Sequence, residues 1–270
     1  MRGFGKGIVL TAIAFLFAGA PVFGYEEAPV ANGGAVSGKV SFKGAVPAPK
    51  TFDLEKFPQP KFCGKVDTDG KGHRLLHEVS VGKDGGLKDV VVAIEKIEKG
   101  KPFKFAGTDT TADTCRFLVQ GGPSQFVGVV VKKAEFRVKN LDADPSDPKA
   151  ATGVLHNPHL YEEKGSSNST IFNLPLPDKG QTINKPVIQR KPESTFHLQC
   201  DQHNYMNSYY FPVANPYYAI VGEDGTFTID GIPPGEYEIH AWHPTLGLQE
   251  AHVTVAAGGK ASANFSFAAK

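Results

Sequence analysis

The chain has little of the residue types that most sharply mark a function class. Of its 270 residues three are Cys, two are Met and one is Trp. No Cys-x-x-Cys-His occurs, which excludes an ordinary covalently attached c-type haem. Net charge is almost absent, with 29 Lys and Arg against 28 Asp and Glu, a formal +1. No basic field exists to hold a nucleic acid. No stretch after residue 18 is apolar enough to span a bilayer. No window of a dozen residues beyond that point carries a helical period. Ser, His and Asp never meet in a nucleophile-elbow context, which argues against a hydrolase.

Other residue types are plentiful. The 30 Gly and 20 Pro favour many short strands joined by turns. The 19 Phe and 8 Tyr supply enough apolar area for a packed core and exclude whole-chain disorder. The length suits one large domain or two small ones.

Arg2 and Lys6 precede an apolar run at 8–18, IVLTAIAFLFA, which Pro21 ends. Val22 and Gly24 then stand at the −3 and −1 positions of a cut. This is the layout of a secretory signal peptide over residues 1–24. The run is too short for a membrane-spanning helix. The expectation is an exported protein, periplasmic, secreted or at the cell surface, that does not span the membrane. Removing Arg2 and Lys6 leaves 27 basic against 28 acidic residues, a mature charge of −1.

An odd number of Cys in an exported chain leaves one thiol to explain. Cys63 and Cys115 have no His or Met nearby. Cys200 has His203 and Met206 beside it. The economical assignment is a Cys63–Cys115 disulfide with Cys200 kept as a metal thiolate. The competing assignment, Cys200 in a disulfide, wastes its soft neighbours.

Turn and alternation signals read as strands through most of the chain. GAVSGKVSFKG (34–44) is a first strand, after a flexible lead at 25–34. Residues 45–62 read as an irregular crossing loop. HEVSV and LKDVVVAIE flank the turn GKDGG as a hairpin. VGVVVKKAEFRVKN contains two strand-like runs. STFHLQC runs a strand up to Cys200, with Phe196, Leu198 and Cys200 on one face. AHVTVAAGGKASANFSF closes the chain as a hairpin. The fold class is all-β, a sandwich.

Cys200, His203 and Met206 lie within seven residues. Thiolate, imidazole and thioether suit copper better than calcium or magnesium, and Met is a poor zinc ligand. One further imidazole is needed, and LHNPHLYE (155–162) offers His156 and His159. CDQHNYM resembles the ligand loop of the small blue-copper proteins, the cupredoxins, with the Cys-x2-His-x2-Met spacing of amicyanin. VKNLDAD and VLHN resemble the cupredoxin pattern of an Asn-bearing strand before a first ligand His that is followed by Asn. By position this resemblance implies His156 as first ligand and Asn157 as its loop-tying neighbour. It covers roughly residues 80–213. It implies a β-sandwich, one copper per chain, and one-electron transfer without catalysis. The partner it implies is a redox protein such as a cytochrome or oxidoreductase. Copper would be held by His156, Cys200, His203 and Met206, with an exposed edge of His203 as the electron exit. Phe196, Tyr205 and Phe211 would form the water-excluding shell.

Three features depart from that pattern: the insertion LDADPSDPKAATG before His156, the extra imidazole of His159, and a long polar stretch before Cys200. His243, at the end of the apolar face of YEIHAWH, is either a further imidazole near the copper loop or a hydrogen-bonded strand-end residue. His73, His77, His197, His240 and His252 have no ligand-like spacing.

GEDGTFTIDGIPPGEYEIHAWHPTLG resembles a second family, the carboxypeptidase regulatory-like, transthyretin-like β-sandwich. That module begins with a strand like GAVSGKVSFKG, here far upstream. The expected organisation is a cupredoxin-like copper domain over 35–213 and the smaller module over 214–270. Residues 35–45 would be the first strand of the second module, with the copper domain inserted into it or fused beside it. A copper storage or delivery protein, or a metal-free docking module, are the readings from other classes.

Overall fold

The structure is a computed structural model, and it describes residues 24–269. The signal-peptide reading therefore lies outside the described residues. Among the described residues nearly all regular structure is strand, with one α-helical turn at Pro60–Cys63 and two short 3-10 turns. Among the described residues no helix is long and apolar enough to cross a membrane.

Two sandwiches share the chain. In the first, a five-stranded sheet runs in the order Ser167–Asn173, Pro158–Lys164, Thr195–Cys200, Asn207–Pro212, Val127–Val130. A four-stranded sheet faces it, in the order Thr182–Pro186, Glu135–Asn140, Thr108–Ala112, Phe117–Val119. Alternation explains the contact between them. Phe196, Leu198 and Cys200 are buried on one face of their strand, with Phe136, Val138 and Ile183 coming from the other sheet. The Phe136 ring meets the edge of Tyr210 at 4.8 Å between centroids.

The second sandwich pairs Tyr218–Ile220, Val91–Ile94, Gly235–His243 and Gly247–Val255 in one sheet. Its other layer is built on Gly34–Lys43, which pairs antiparallel with Thr226–Ile232. This early strand thus closes a layer whose other members lie near the C-terminus. The segment Val91–Ile94 also belongs here, although the sequence boundary assigns it to the copper unit. It is apolar throughout because both of its faces are covered. Val92 and Ile94 enter the second core, and Val91 and Ala93 enter a third cluster with Val127, Val129, Phe211 and Trp242. That third cluster joins the sandwiches, and Phe211 and Trp242 stack tilted across it at 5.5 Å. Phe211 is therefore in the join, not in a shell around Cys200.

Two expected hairpins do not form. Lys260–Ser262 and Phe265–Ala268 each run parallel to Gly34–Lys43 instead of folding back onto Gly247–Val255, which pairs with Gly235–His243. The GKDGG turn holds a single bridge between Val81 and Leu87, because the strand that follows is taken by Gly235–His243. The crossing loop at 45–62 also has structure, since Lys50–Asp53 pairs with His73–Leu76.

The disulfide joins Cys63 to Cys115, both fully buried, across 52 residues. Arg74 reinforces it, donating to the carbonyls of Cys63 at 2.6 Å and Cys115 at 3.0 Å. Closing a loop of that length restricts the unfolded chain by about 4 kcal/mol. Replacing both cysteines by Ser is expected to lower the unfolding free energy by about 2–5 kcal/mol, read from urea unfolding followed at Trp242. A loss below about 1 kcal/mol would show that the Arg74 clamp alone holds this end of the sandwich.

Candidate metal centre

The site is built by one strand pairing and one short loop. Pro158–Lys164 runs antiparallel to Thr195–Cys200 with Pro158 opposite Cys200. His156, two residues before that strand, is therefore delivered to the end of the neighbouring one. After Cys200 the chain makes two overlapping turns: His203 N–H donates to Cys200 O at 3.2 Å and Met206 N–H to His203 O at 2.8 Å. Cys200 N–H then donates to Met206 O at 3.2 Å and closes the loop. The two turns bring His203 back beside the Cys200 sulfur and leave Met206 in the same core cluster as Cys200.

The donors converge. Cys200 Sγ lies 3.7 Å from His203 Nδ1 and 3.9 Å from His156 Nδ1. The imidazole rings are 5.3 Å apart. A first-row ion about 2.3 Å from sulfur and 2.0 Å from nitrogen, at a trigonal angle, separates those donors by roughly 3.7 Å. The chain thus presents a spacing that fits one ion. His156, Cys200 and His203 are each 0% exposed and Met206 is 1%. Met206, Phe196 and Tyr205 share the core cluster around Cys200.

Each imidazole is held by its other nitrogen. His156 Nε2 meets Asp142 Oδ2 at 2.8 Å, and His203 Nε2 meets Pro58 O at 3.0 Å. Both rings therefore turn Nδ1 toward the sulfur. Asp142 is itself buried in a pocket of amides. Thr114 and Cys115 take φ of 50° and 52°, and their successive N–H groups both donate to its carboxylate. Asn140 supports the same loop, giving its Nδ2 to Val154 O and Leu176 O and accepting from Asp142 N–H. The inserted segment before His156 thus contains the residue that orients it.

Electrostatics follow from this packing. Burial alone would raise the Cys200 thiol, but hydrogen bonds and charge from His156 and His203 outweigh it and bring the thiol down to about 6. Burial would lower His156, yet Asp142 and Cys200 raise it to about 9. Burial pushes the Asp142 carboxyl up, and His156 with the two amides more than reverses this, so it stays below the usual carboxylate range. The lowered thiol and the raised imidazole both favour a Cys200 thiolate paired with a His156 imidazolium.

Two candidate imidazoles are not in the cluster. His159 is three residues from His156 on an extended segment and so faces the other way. It lies on the outer face, stacked on Tyr161 at 3.8 Å and bonded to Asp201 at 3.1 Å. His243 is buried in the second sandwich, where its Nδ1 accepts from Thr245 N–H at 3.1 Å and Leu246 N–H at 3.3 Å. Burial pushes it down to about 4. Asn157 ties the loop, its N–H donating to Cys200 Sγ at 3.3 Å and its Nδ2 to Asp201 at 3.3 Å. The expected exit at His203 is overturned, because Pro58 and the disulfide-tethered turn cover that ring.

A family model for polysaccharide lyase family 4, domain II, matches residues 198–263. That match replaces the carboxypeptidase regulatory-like reading of the C-terminal region, and it also takes in the Cys200–Met206 loop. No curated protein matches the chain. These matches assign no family. A Cu-containing nitrite reductase (NirK) from Thermus scotoductus SA-01 aligns at 11% identity and a TM-score of 0.30, over 43% of this chain and 24% of its own length. The chain thus spans about a quarter of that enzyme. The reduced Cu(I) form of an amicyanin variant at pH 4 aligns at 14% identity and a TM-score of 0.25, over 45% of this chain and 98% of that one. Likenesses this loose do not bear on function, for which the donor geometry is the ground.

In the metal-free chain the Cys200 thiolate is expected to form near pH 6, against 9.0 for an ordinary thiol, as read from its ultraviolet absorbance. His156→Gln should move that titration upward, and an unmoved midpoint would assign the effect to His203 alone. Asp142→Asn is expected to weaken binding of a metal ion by about 10–100-fold, measured by chelator competition.

Proposed function

We propose that the chain is an exported mononuclear copper protein that passes single electrons through a centre held by His156, Cys200, His203 and Met206. The observation that carries this reading is the convergence of one thiolate and two imidazoles, 3.7 and 3.9 Å from the sulfur, in a fully buried pocket. Soft thiolate with imidazole selects copper, and Met206 on the same loop supplies a thioether that zinc does not favour. When bound, copper supplies a reversible one-electron couple.

The chain's own residues do the rest. Cys200 offers a thiolate at neutral pH without needing a base. Asp142 and the Pro58 carbonyl hold the two imidazoles in fixed orientations, so little rearranges when an electron arrives. Phe57 packs edge-on against Tyr205 at 5.0 Å, and Tyr205 against His203 at 5.7 Å, which keeps water out. With the His203 edge covered, the short way to the surface is the Cys200–Asp201 peptide and the Asn157 N–H, toward His159 and Tyr161 on the outer face. A cytochrome or other redox protein would dock there. No chemical transformation of a substrate is part of this reading.

The same covering of His203 favours a second reading, a copper-holding protein that stores or delivers the ion. The two differ in speed: a carrier exchanges electrons rapidly with a cytochrome, whereas a store does not.

Loading the chain with Cu(II) is expected to give one copper per chain and an intense thiolate-to-copper band, both lost in Cys200→Ser. His159→Ala and His243→Ala should leave stoichiometry and band unchanged. Copper retained without Cys200 would sink the reading. A bound copper that a cytochrome reduces only over minutes would select the store.

A further inference from the structure

The strand pair Gly235–His243 and Gly247–Val255 gathers acids and imidazoles on one face of the second sandwich. In its antiparallel register His240 stands opposite Glu250, and Glu238 stands opposite His252. Residues two apart on a strand share a face, so all four belong to the same side of the sheet. Trp242, two residues further along, carries that side into the seam between the sandwiches. The neighbouring strand Val91–Ile94 ends at Glu95, whose N–H donates to Glu238 O at 3.1 Å. The position of His240 along the chain gives no hint of this, because its partners come from three strands.

Three carboxylates converge on that imidazole. Glu238 Oε1 lies 2.7 Å and Glu250 Oε1 3.7 Å from His240 Nε2, and Glu95 Oε1 lies 3.4 Å from its Nδ1. One ligand atom from each of Glu238, His240 and Glu250 lies within 4.8 Å of the other two. The His240 side chain is 13% exposed and that of Glu250 59%, so the cluster backs onto the sheet and opens to water. Among the described residues one cation, Lys96, pairs with these three acids, and it takes the other oxygen, Glu238 Oε2, at 3.3 Å. The bond from His240, with Lys96 behind it, holds the Glu238 carboxyl below the usual carboxylate range.

We infer that Glu238, His240 and Glu250 form a metal site of their own, remote from Cys200, that takes a divalent first-row ion of the zinc class. One imidazole and two carboxylates fill three of the four positions such an ion requires, and water fills the fourth. The donors stand on paired strands, which fixes their separation before the ion arrives. No covalent change is needed, and no donor is shared with the Cys200 centre. The ion takes the place of the proton between His240 Nε2 and Glu238 Oε1. His240 then keeps its proton on Nδ1, where Glu95 accepts it and orients the ring from behind. The imidazole sets the ion class, because calcium and magnesium are held by oxygen alone. Lys96 opposes binding through its charge but leaves Glu238 Oε1 free for the ion.

The site is tested in the full Cys200→Ser chain, where the other centre is disabled. That chain is titrated with Zn(II) against a chromogenic chelator, with Ca(II) as competitor. One zinc per chain is expected, and calcium should not displace it. His240→Gln should abolish this binding. Glu250→Gln and Glu95→Gln should each weaken it about tenfold or more. Lys96→Gln should strengthen it, because a charge that competes with the ion is gone. Zinc should also raise the thermal unfolding midpoint of the Cys200→Ser chain, and lose that effect when His240→Gln is added. Absence of bound zinc, or zinc held equally well after His240→Gln, overturns the inference. Displacement by an equal concentration of calcium overturns it too, because the imidazole would then have no part in the choice of ion.

Discussion

A thiolate is difficult to keep in a closed apolar pocket, and the end of the first sandwich is arranged around that difficulty. Cys200 has no access to water, so its charge must be met by neighbours. His156 and His203 meet it from two sides, and each does so only because its far nitrogen is occupied. The dependence then spreads outward. Asp142 requires the two left-handed residues Thr114 and Cys115 to aim their amides at it. Cys115 is tied to Cys63, and Arg74 spans the carbonyls of both. A single buried sulfur thus accounts for the insertion before His156, the strained turn at 114–115, and the covering segment near Pro58.

The two sandwiches depend on one another through shared faces. Val127, Val129 and Phe211 are strand residues of the first sandwich, while Val91, Ala93 and Trp242 belong to the second. Each would otherwise be an exposed apolar patch. Closing that seam covers the continuous valine run at 90–92 on both sides, which is why it shows no alternation.

Several parts of this arrangement were legible in the residues. The strand up to Cys200 followed from alternation, and its burial pattern has that period. The pairing of Cys63 with Cys115 followed from what surrounds each cysteine. The choice between His156 and His159 was also available locally, because residues three apart on an extended chain face opposite ways. The hairpins at 77–95 and 251–267 were misread for one shared reason. Turn chemistry marks where a chain bends, but the partner of each strand is decided by which distant segment completes the layer. Asp142, Pro58 and Arg74 carried no signal at all. A carboxylate in an acidic loop, a proline carbonyl and an arginine in a polar stretch all resemble surface until the fold encloses them.

The sequence by itself determined the chemistry of the donors and their local geometry. A thiol, an imidazole and a thioether spaced three residues apart fall within one short loop, which keeps them near one another whatever surrounds them. Tertiary structure alone decided which imidazole joins them, how each ring is oriented, and that the site is closed. Those outcomes depend on contacts between segments up to 145 residues apart, such as His203 with Pro58. Such contacts are set by layer packing and burial, which act on the whole chain at once and leave no mark in any short stretch of it.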